Sequence, residues 1–317
     1  MDLAFRHATA ADVPRLHELV ATSSRGYYDA QTLKLLPDVW RTWLAEDRVE
    51  MHCLLDASKP AAERIQGIGS GVFVTDAFAD ALIAAPFRDV AGEVVRREAA
   101  GQSVVLTVEQ AGRANAKGGV NGLGMDFTLA GEWGPLALAR WSVVLFESLR
   151  AWGDGWRIRT VTREWVGRDV ATFSRLGGWS VKRDLSAKEK PRPEPTRRRY
   201  FAVYTRRDHE KAPLKMPAAL FFTDREPRFR FAPAEQHLLR LALRNLSDAE
   251  AAEALGVSPH TVKARWKAIF LQVAEQKPDW FPAGDDENEP TTRGVEKRRH
   301  LLTWLRGHME EVRPRAR

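Results

Sequence analysis

The chain carries one cysteine, Cys53, in 317 residues, so neither an intrachain disulfide nor a cysteine-based zinc site can be built from it. Long apolar runs are missing too, and none approaches the ~20 residues that a helix needs to cross a bilayer. The opening Met1-Asp-Leu-Ala-Phe-Arg-His7 lacks the apolar core of a secretory signal, so the expected location is the cytoplasm, with no membrane partner. The eight histidines show no His-x-x-x-His spacing paired with a carboxylate, and no metal is expected. His237, His260, His300 and His308 are scattered and read as surface or packing residues. There is no Gly-x-Ser-x-Gly elbow, which excludes that nucleophile. The pair Gly122-x-Gly124 is too short to imply a dinucleotide site. No internal repeat is present.

What is present reads as ordinary globular protein: 44% hydrophobic and 29% charged residues, in a chain long enough for two cores. The net charge of +7 favours a polyanionic partner, but its distribution matters more. Residues 184–230 hold 13 Lys/Arg against 7 Asp/Glu, whereas 231–317 hold 14 against 13. The excess therefore precedes the C-terminal part and reads either as a solvated linker or as a phosphate-contacting arm.

The first 207 residues alternate strand-like and helix-like patterns, which implies an α+β domain with a mixed sheet. Strands are expected at Leu3–Arg6, His52–Asp56, Arg64–Thr75, Val104–Glu109, Val120–Leu129, Trp156–Glu164, Trp179–Arg183 and Tyr200–Thr205. Helices are expected at Thr9–Ser23, Gln31–Leu44, Asp76–Ala99, Pro135–Trp152 and Asp169–Leu176. Trp133, Trp141, Trp152, Trp156, Trp165 and Trp179 are expected to fill this domain's core. Residues 208–230, with Pro213, Pro217 and Pro227, read as a basic linker. A unit at 231–280 follows, then an acidic loop and an amphipathic helix within 281–317, whose Leu301, Leu302, Leu305 and Met309 form a packing stripe.

The strongest local signal lies in that C-terminal part. Ser247 and Glu250 form a capping box, Gly256 can end the short helix they start, and Ser258-Pro259 starts a longer one. Cap, helix, Gly turn, cap and helix together are the signs of a helix-turn-helix. Phe231, Glu235, Leu238-Leu239, Leu246-Ser247, Glu250, Leu255-Gly256-Val257-Ser258 and Thr261-Val262-Lys263 resemble the LuxR-type unit over about 45 residues. The resemblance implies an all-α DNA-binding domain whose second helix enters the major groove of double-stranded DNA. It places Lys263, Ala264 and Lys267 at base-facing positions, Ser258, Thr261 and Arg265 near phosphate, and Val262, Ile269 and Val273 in the core. Binding to paired half-sites implies a homodimer.

A second, distributed resemblance covers the N-terminal part. Phe5-Arg6-His7-Ala8-Thr9-Ala10-Ala11-Asp12-Val13 and Ala171-Thr172-Phe173-Ser174-Arg175-Leu176-Gly177-Gly178-Trp179 resemble segments of the GNAT acyltransferase fold. That fold implies an acyl-CoA pyrophosphate held where a Gly-rich turn meets a helix N-terminus, which points to Gly131 and Gly134. Here the usual spacing is missing and Glu132 stands in the turn. Ser174 stands where many members carry a tyrosine acid, and a serine hydroxyl is too weak an acid for that role. Asp126 is the one candidate base. The expectation from sequence is therefore a sequence-specific transcriptional regulator, with no catalytic residue and a degenerate acyltransferase-like domain open to a small-molecule effector. The alternative is an active acyl-CoA-dependent N-acyltransferase with a DNA-binding tail.

Overall fold

The computed structural model describes residues 2–23, 25–131, 135–211, 217–222, 225–281 and 290–314. Two compact units emerge, Met1–Thr223 and Asp224–Arg315. In chain order the first contains β1 (Leu3–His7), α1 (Val13–Ala21), α2 (Ala30–Ala45), β2 (Val49–Asp56), β3 (Ile65–Val74), α3 (Asp76–Ala84), α4 (Val90–Ala99) and α5 (Val108–Lys117). It continues with β4 (Val120–Leu129), α6 (Pro135–Gly153), β5 (Ile158–Val166), α7 (Arg168–Leu176), β6 (Ser180–Asp184), β7 (Arg199–Thr205) and α8 (Arg206–Lys211).

The strands make one mixed sheet in the order β1-β2-β3-β4-β5-β7-β6. Every pairing is antiparallel except β4 with β5. A parallel pair needs a long crossover, and α6 supplies it. Side chains alternate across the sheet. Leu123 and Met125 of β4 join the face covered by α1, α2 and α4, where Leu16, Trp40 and Trp43 are buried. Val120 and Phe127 lie on the other face, with Trp141, Leu145 and Trp152 of α6.

Two expectations for this unit need correction. The long helix foreseen at Asp76–Ala99 is broken into α3 and α4, because Pro86 removes an amide donor and Asp89 takes a left-handed conformation at φ 60°. The strand foreseen at Val104–Glu109 contributes only a bridge from Val105 to Val74. Its second half opens α5, since Thr107 Oγ1 accepts from Gln110 N at 3.3 Å and Gln110 Oε1 accepts from Thr107 N at 2.9 Å. Within the stretch read as a linker, residues 217–222 form a 3-10 turn whose Phe221 and Phe222 are buried with Trp152 and Trp156.

The second unit contains α9 (Pro233–Leu243), α10 (Asp248–Ala254), α11 (Pro259–Gln276) and α12 (Pro290–Leu305). Ser247 Oγ accepts from Glu250 N, and Ser258 Oγ from Thr261 N at 3.1 Å, so each helix start has its own side-chain cap. Gly256, at φ +61°, makes the turn between α10 and α11. Leu301, Leu305 and Met309 are buried with Leu238, Val262 and Ile269, so the C-terminal stripe packs inside its own unit. Among the described residues no helix is long and apolar enough to cross a membrane.

Candidate active site

Strands β4 and β5 pair from Val120 and Ile158 as far as Gly124 and Arg163, where the ladder stops. Both strands continue, to Leu129 and Val166, leaving a wedge between two unpaired edges. A bulge contributes to the parting: Gly69 faces Phe127 and Gly71 faces Gly124, so Ser70 of β3 stands against both Met125 and Asp126 of β4. Buried backbone groups need partners, and here the α1–α2 loop provides them. Tyr27 Oη donates to the Phe127 carbonyl at 2.9 Å, and Arg25 Nη1 donates to the Val166 carbonyl at 2.9 Å. Arg199 Nη2 holds the loop through the carbonyls of Gly26 and Tyr27, while its Nη1 meets Glu164 at 2.8 Å.

A cavity of about 60 Å³ lies on the α6 face of this wedge. Gly69, Ser70 and Gly124 contribute the sheet side of its wall, with Ser148 and Trp152 on α6 and Arg163, Trp165 and Trp179 beyond. Ser70 ties it to a buried acid: its Oγ donates to Asp126 Oδ2 at 2.6 Å, while Tyr28 Oη donates to Oδ1 at 2.6 Å. Burial holds the Asp126 carboxyl above the ordinary aspartate range, although the Ser70 and Tyr28 hydrogen bonds and the charge of Arg163 pull the other way. Tyr28 is pushed well above the ordinary tyrosine value, by burial first and by Asp126 second, so it remains a donor. A carboxylate with a raised pKa, joined to a cavity by one hydroxyl, is suited to accept a proton.

Of the residues singled out from sequence, Gly131 sits in an exposed turn after β4 at φ +80°, whereas Gly134 lies outside the described residues. Ser174 is buried and its hydroxyl is spent on the Val170 carbonyl at 2.8 Å. Lys263, Ala264 and Lys267 are exposed on α11, with Arg265 half-buried. Ser258 and Thr261 are joined by a 2.9 Å hydroxyl contact at the helix start. Val262, Ile269 and Val273 are buried. Of the tryptophans, Trp141 and Trp156 are buried, Trp133 is outside the described residues, and Trp152, Trp165 and Trp179 also line the cavity.

Sequence reasoning missed Ser70, Tyr28 and Arg163, which the bulge, the loop and the wedge bring together. It also missed a trio: His7, Glu50 and His52 each place one ligand atom within 4.8 Å of the others. His7 and His52 are cross-strand partners on β1 and β2, so spacing along the chain could not show them. Two imidazoles and a carboxylate are donors that suit a first-row transition metal.

No family model matches this chain, and no curated protein matches it in sequence. Among solved structures, NAA60 from Arabidopsis thaliana in complex with acetyl-CoA aligns at 10% identity and a TM-score of 0.41, over 65% of this chain and 99% of that one. Spermidine N-acetyltransferase from Vibrio cholerae, in complex with CoA and spermine, aligns at 9% identity and a TM-score of 0.38, over 65% and 97%. An acetyltransferase from Thermus thermophilus aligns at 11% identity and a TM-score of 0.36, over 65% and 97%. The expectation of a LuxR-type transcriptional regulator with a degenerate N-terminal domain is corrected here. The similar structures named above are an acetyl-CoA complex and two acetyltransferases.

Proposed function

We propose that the N-terminal unit is an acyl-CoA-dependent N-acyltransferase, carrying the C-terminal helical unit as a DNA-contacting tail. The observation that carries this reading is the Ser70–Asp126 pair at the cavity in the β4–β5 wedge. The residues fit an acyl thioester at that cavity. Gly69 places no side chain on the wall, and a Cβ there would meet only Ser148 Oγ at 3.7 Å. Gly131 gives the chain a left-handed turn before α6, where a helix N-terminus favours an anion such as pyrophosphate.

Acyl-CoA supplies the activated acyl group. The chain's own task is to take a proton from the acceptor amine as its nitrogen bonds to the acyl carbon. Ser70 Oγ accepts that proton and passes its own to Asp126 Oδ2, a relay one hydroxyl long. The carbon–sulfur bond breaks with its electron pair going to sulfur. A thiol has an ordinary pKa near 8.5, so the thiolate leaves without a strong acid beside it. That removes the need for a hydroxyl at Ser174, which is committed to its own helix.

In the tail, Lys263 and Lys267 stand one turn apart on the exposed side of a capped helix, a placement suited to a groove of double-stranded DNA. Pairing of two such tails in a homodimer would match paired half-sites.

Thiol release from acetyl-CoA with a panel of primary amines tests the enzyme reading. Turnover by the full chain is expected, reduced ~10²–10⁴-fold in Asp126→Asn as for loss of a general base. Turnover that is absent with every amine, or unchanged in Asp126→Asn, overturns the assignment.

A further inference from the structure

Arg163 is 6% exposed, lines the cavity, and leaves Nε and Nη2 without a hydrogen-bond partner. Its guanidinium stacks on Trp165 at 4.3 Å and on Phe127 at 5.3 Å, which holds the plane but satisfies no N–H. Two further lining residues, Trp152 and Trp165, carry buried indole N–H groups without an acceptor. Asp126 interacts with the Arg163 charge, but its carboxyl oxygens are hydrogen-bonded to Ser70 and Tyr28 and not to the guanidinium. Space for the guanidinium depends on Gly124, where a Cβ would stand 3.0 Å from Arg163 Cδ and 3.1 Å from Nη1.

A buried, always-charged fork with open donors destabilises a fold unless something completes it. Stacking and the charge of Asp126 leave Nε and Nη2 open, and a ligand in the cavity would complete them. The fork's complement is a planar anion that accepts two N–H groups, which is a carboxylate. Ser70 and Arg163 line the same cavity, so one molecule can present its amine to the first and its carboxylate to the second.

We propose that Arg163 binds the carboxylate of the acyl acceptor, and that the acceptor is an amino acid, which carries its amine and its carboxylate in one molecule. The proposal rests on the acyltransferase reading for the word acceptor. The carboxylate site itself is tested without acyl-CoA, so the two can fail separately.

The experiment is titration calorimetry of the full chain with glycine, L-alanine and L-serine, against glycinamide and ethylamine. At least one amino acid is expected to bind tenfold or more tightly than the carboxylate-free compounds. Arg163→Lys keeps the charge and loses the fork, and is expected to weaken that binding at least tenfold. Arg163→Met should abolish the discrimination and melt at the same temperature as the parent chain or higher, because it removes buried N–H donors that have no partner. Three results overturn the proposal: no preference for a carboxylate, unchanged binding in Arg163→Lys, or a lower melting temperature in Arg163→Met, which would make the arginine structural.

Discussion

Tyr28 and Asp126 are joined by a 2.6 Å hydrogen bond between the α1–α2 loop and the bulge of β4, with both side chains buried. Through this contact the loop fixes the acid that Ser70 connects to the cavity. Tyr28→Phe keeps the ring and removes the donor. It should destabilise the fold by about 1.5–3 kcal/mol, the range for a hydrogen bond to a charged group. It should also raise the Asp126 pKa further, moving the acid limb of the pH–rate profile upward. Chemical denaturation and kinetics across pH read the two effects.

Stability should depend on pH through Asp126. Burial raises its native value, so its contribution is present while the group is protonated and is lost as pH rises through that value. Asp126→Asn cannot ionise. Its stability relative to the parent chain should therefore improve as pH goes from about 4 to about 8. A difference between the two proteins that stays flat with pH would contradict the assignment.

Arg199 and Glu164 form a buried pair at 2.8 Å, and Glu164 also accepts from Val90 N to start α4. Arg199 holds the carbonyls of Gly26 and Tyr27 as well. Removing one partner strands the other charge, so Arg199→Ala should lose about 3–5 kcal/mol by denaturant titration. Replacing both partners with apolar residues should lose less.

Several of these relationships could not be read along the chain. Helix α6 and the β2–β3 pair follow from apolar periodicity, and the caps at Ser247 and Ser258 follow from short-range chemistry. The wedge does not, since it depends on where β4 and β5 stop pairing. Asp126 could be named as a candidate base, but its partners Ser70 and Tyr28 come from a neighbouring strand and a distant loop. Arg163 reads in sequence as a polar position in an alternating strand. Only the fold shows that it is buried with open donors. At Val104–Glu109 local β-branched content suggested a strand, and the Thr107–Gln110 cap won.

Cys53 is fully buried, and burial pushes its thiol up to about 12. At pH 8 the thiolate is then about one part in ten thousand, so a disulfide reagent should not react with the native chain. Denaturant should release one reactive thiol per chain. Fast labelling of the native protein would contradict the burial.

Gly122 lies against the ring of Trp152, and a Cβ there would stand 2.5 Å from it. Trp152 is buried and lines the cavity, so a shift of its ring alters the cavity wall. Gly122→Ala should therefore lose about 1–3 kcal/mol, the range for overpacking. It should also weaken acetyl-CoA binding, measured by thermal melting with and without the compound.

The central claim is that the wedge of β4 and β5 is an acyl-CoA site. Calorimetric titration of the full chain with acetyl-CoA tests it most directly. Saturable binding at micromolar concentration, one equivalent per chain and weakened by Gly122→Ala, is the expected result. No heat of binding up to millimolar acetyl-CoA, with the chain folded, would contradict it.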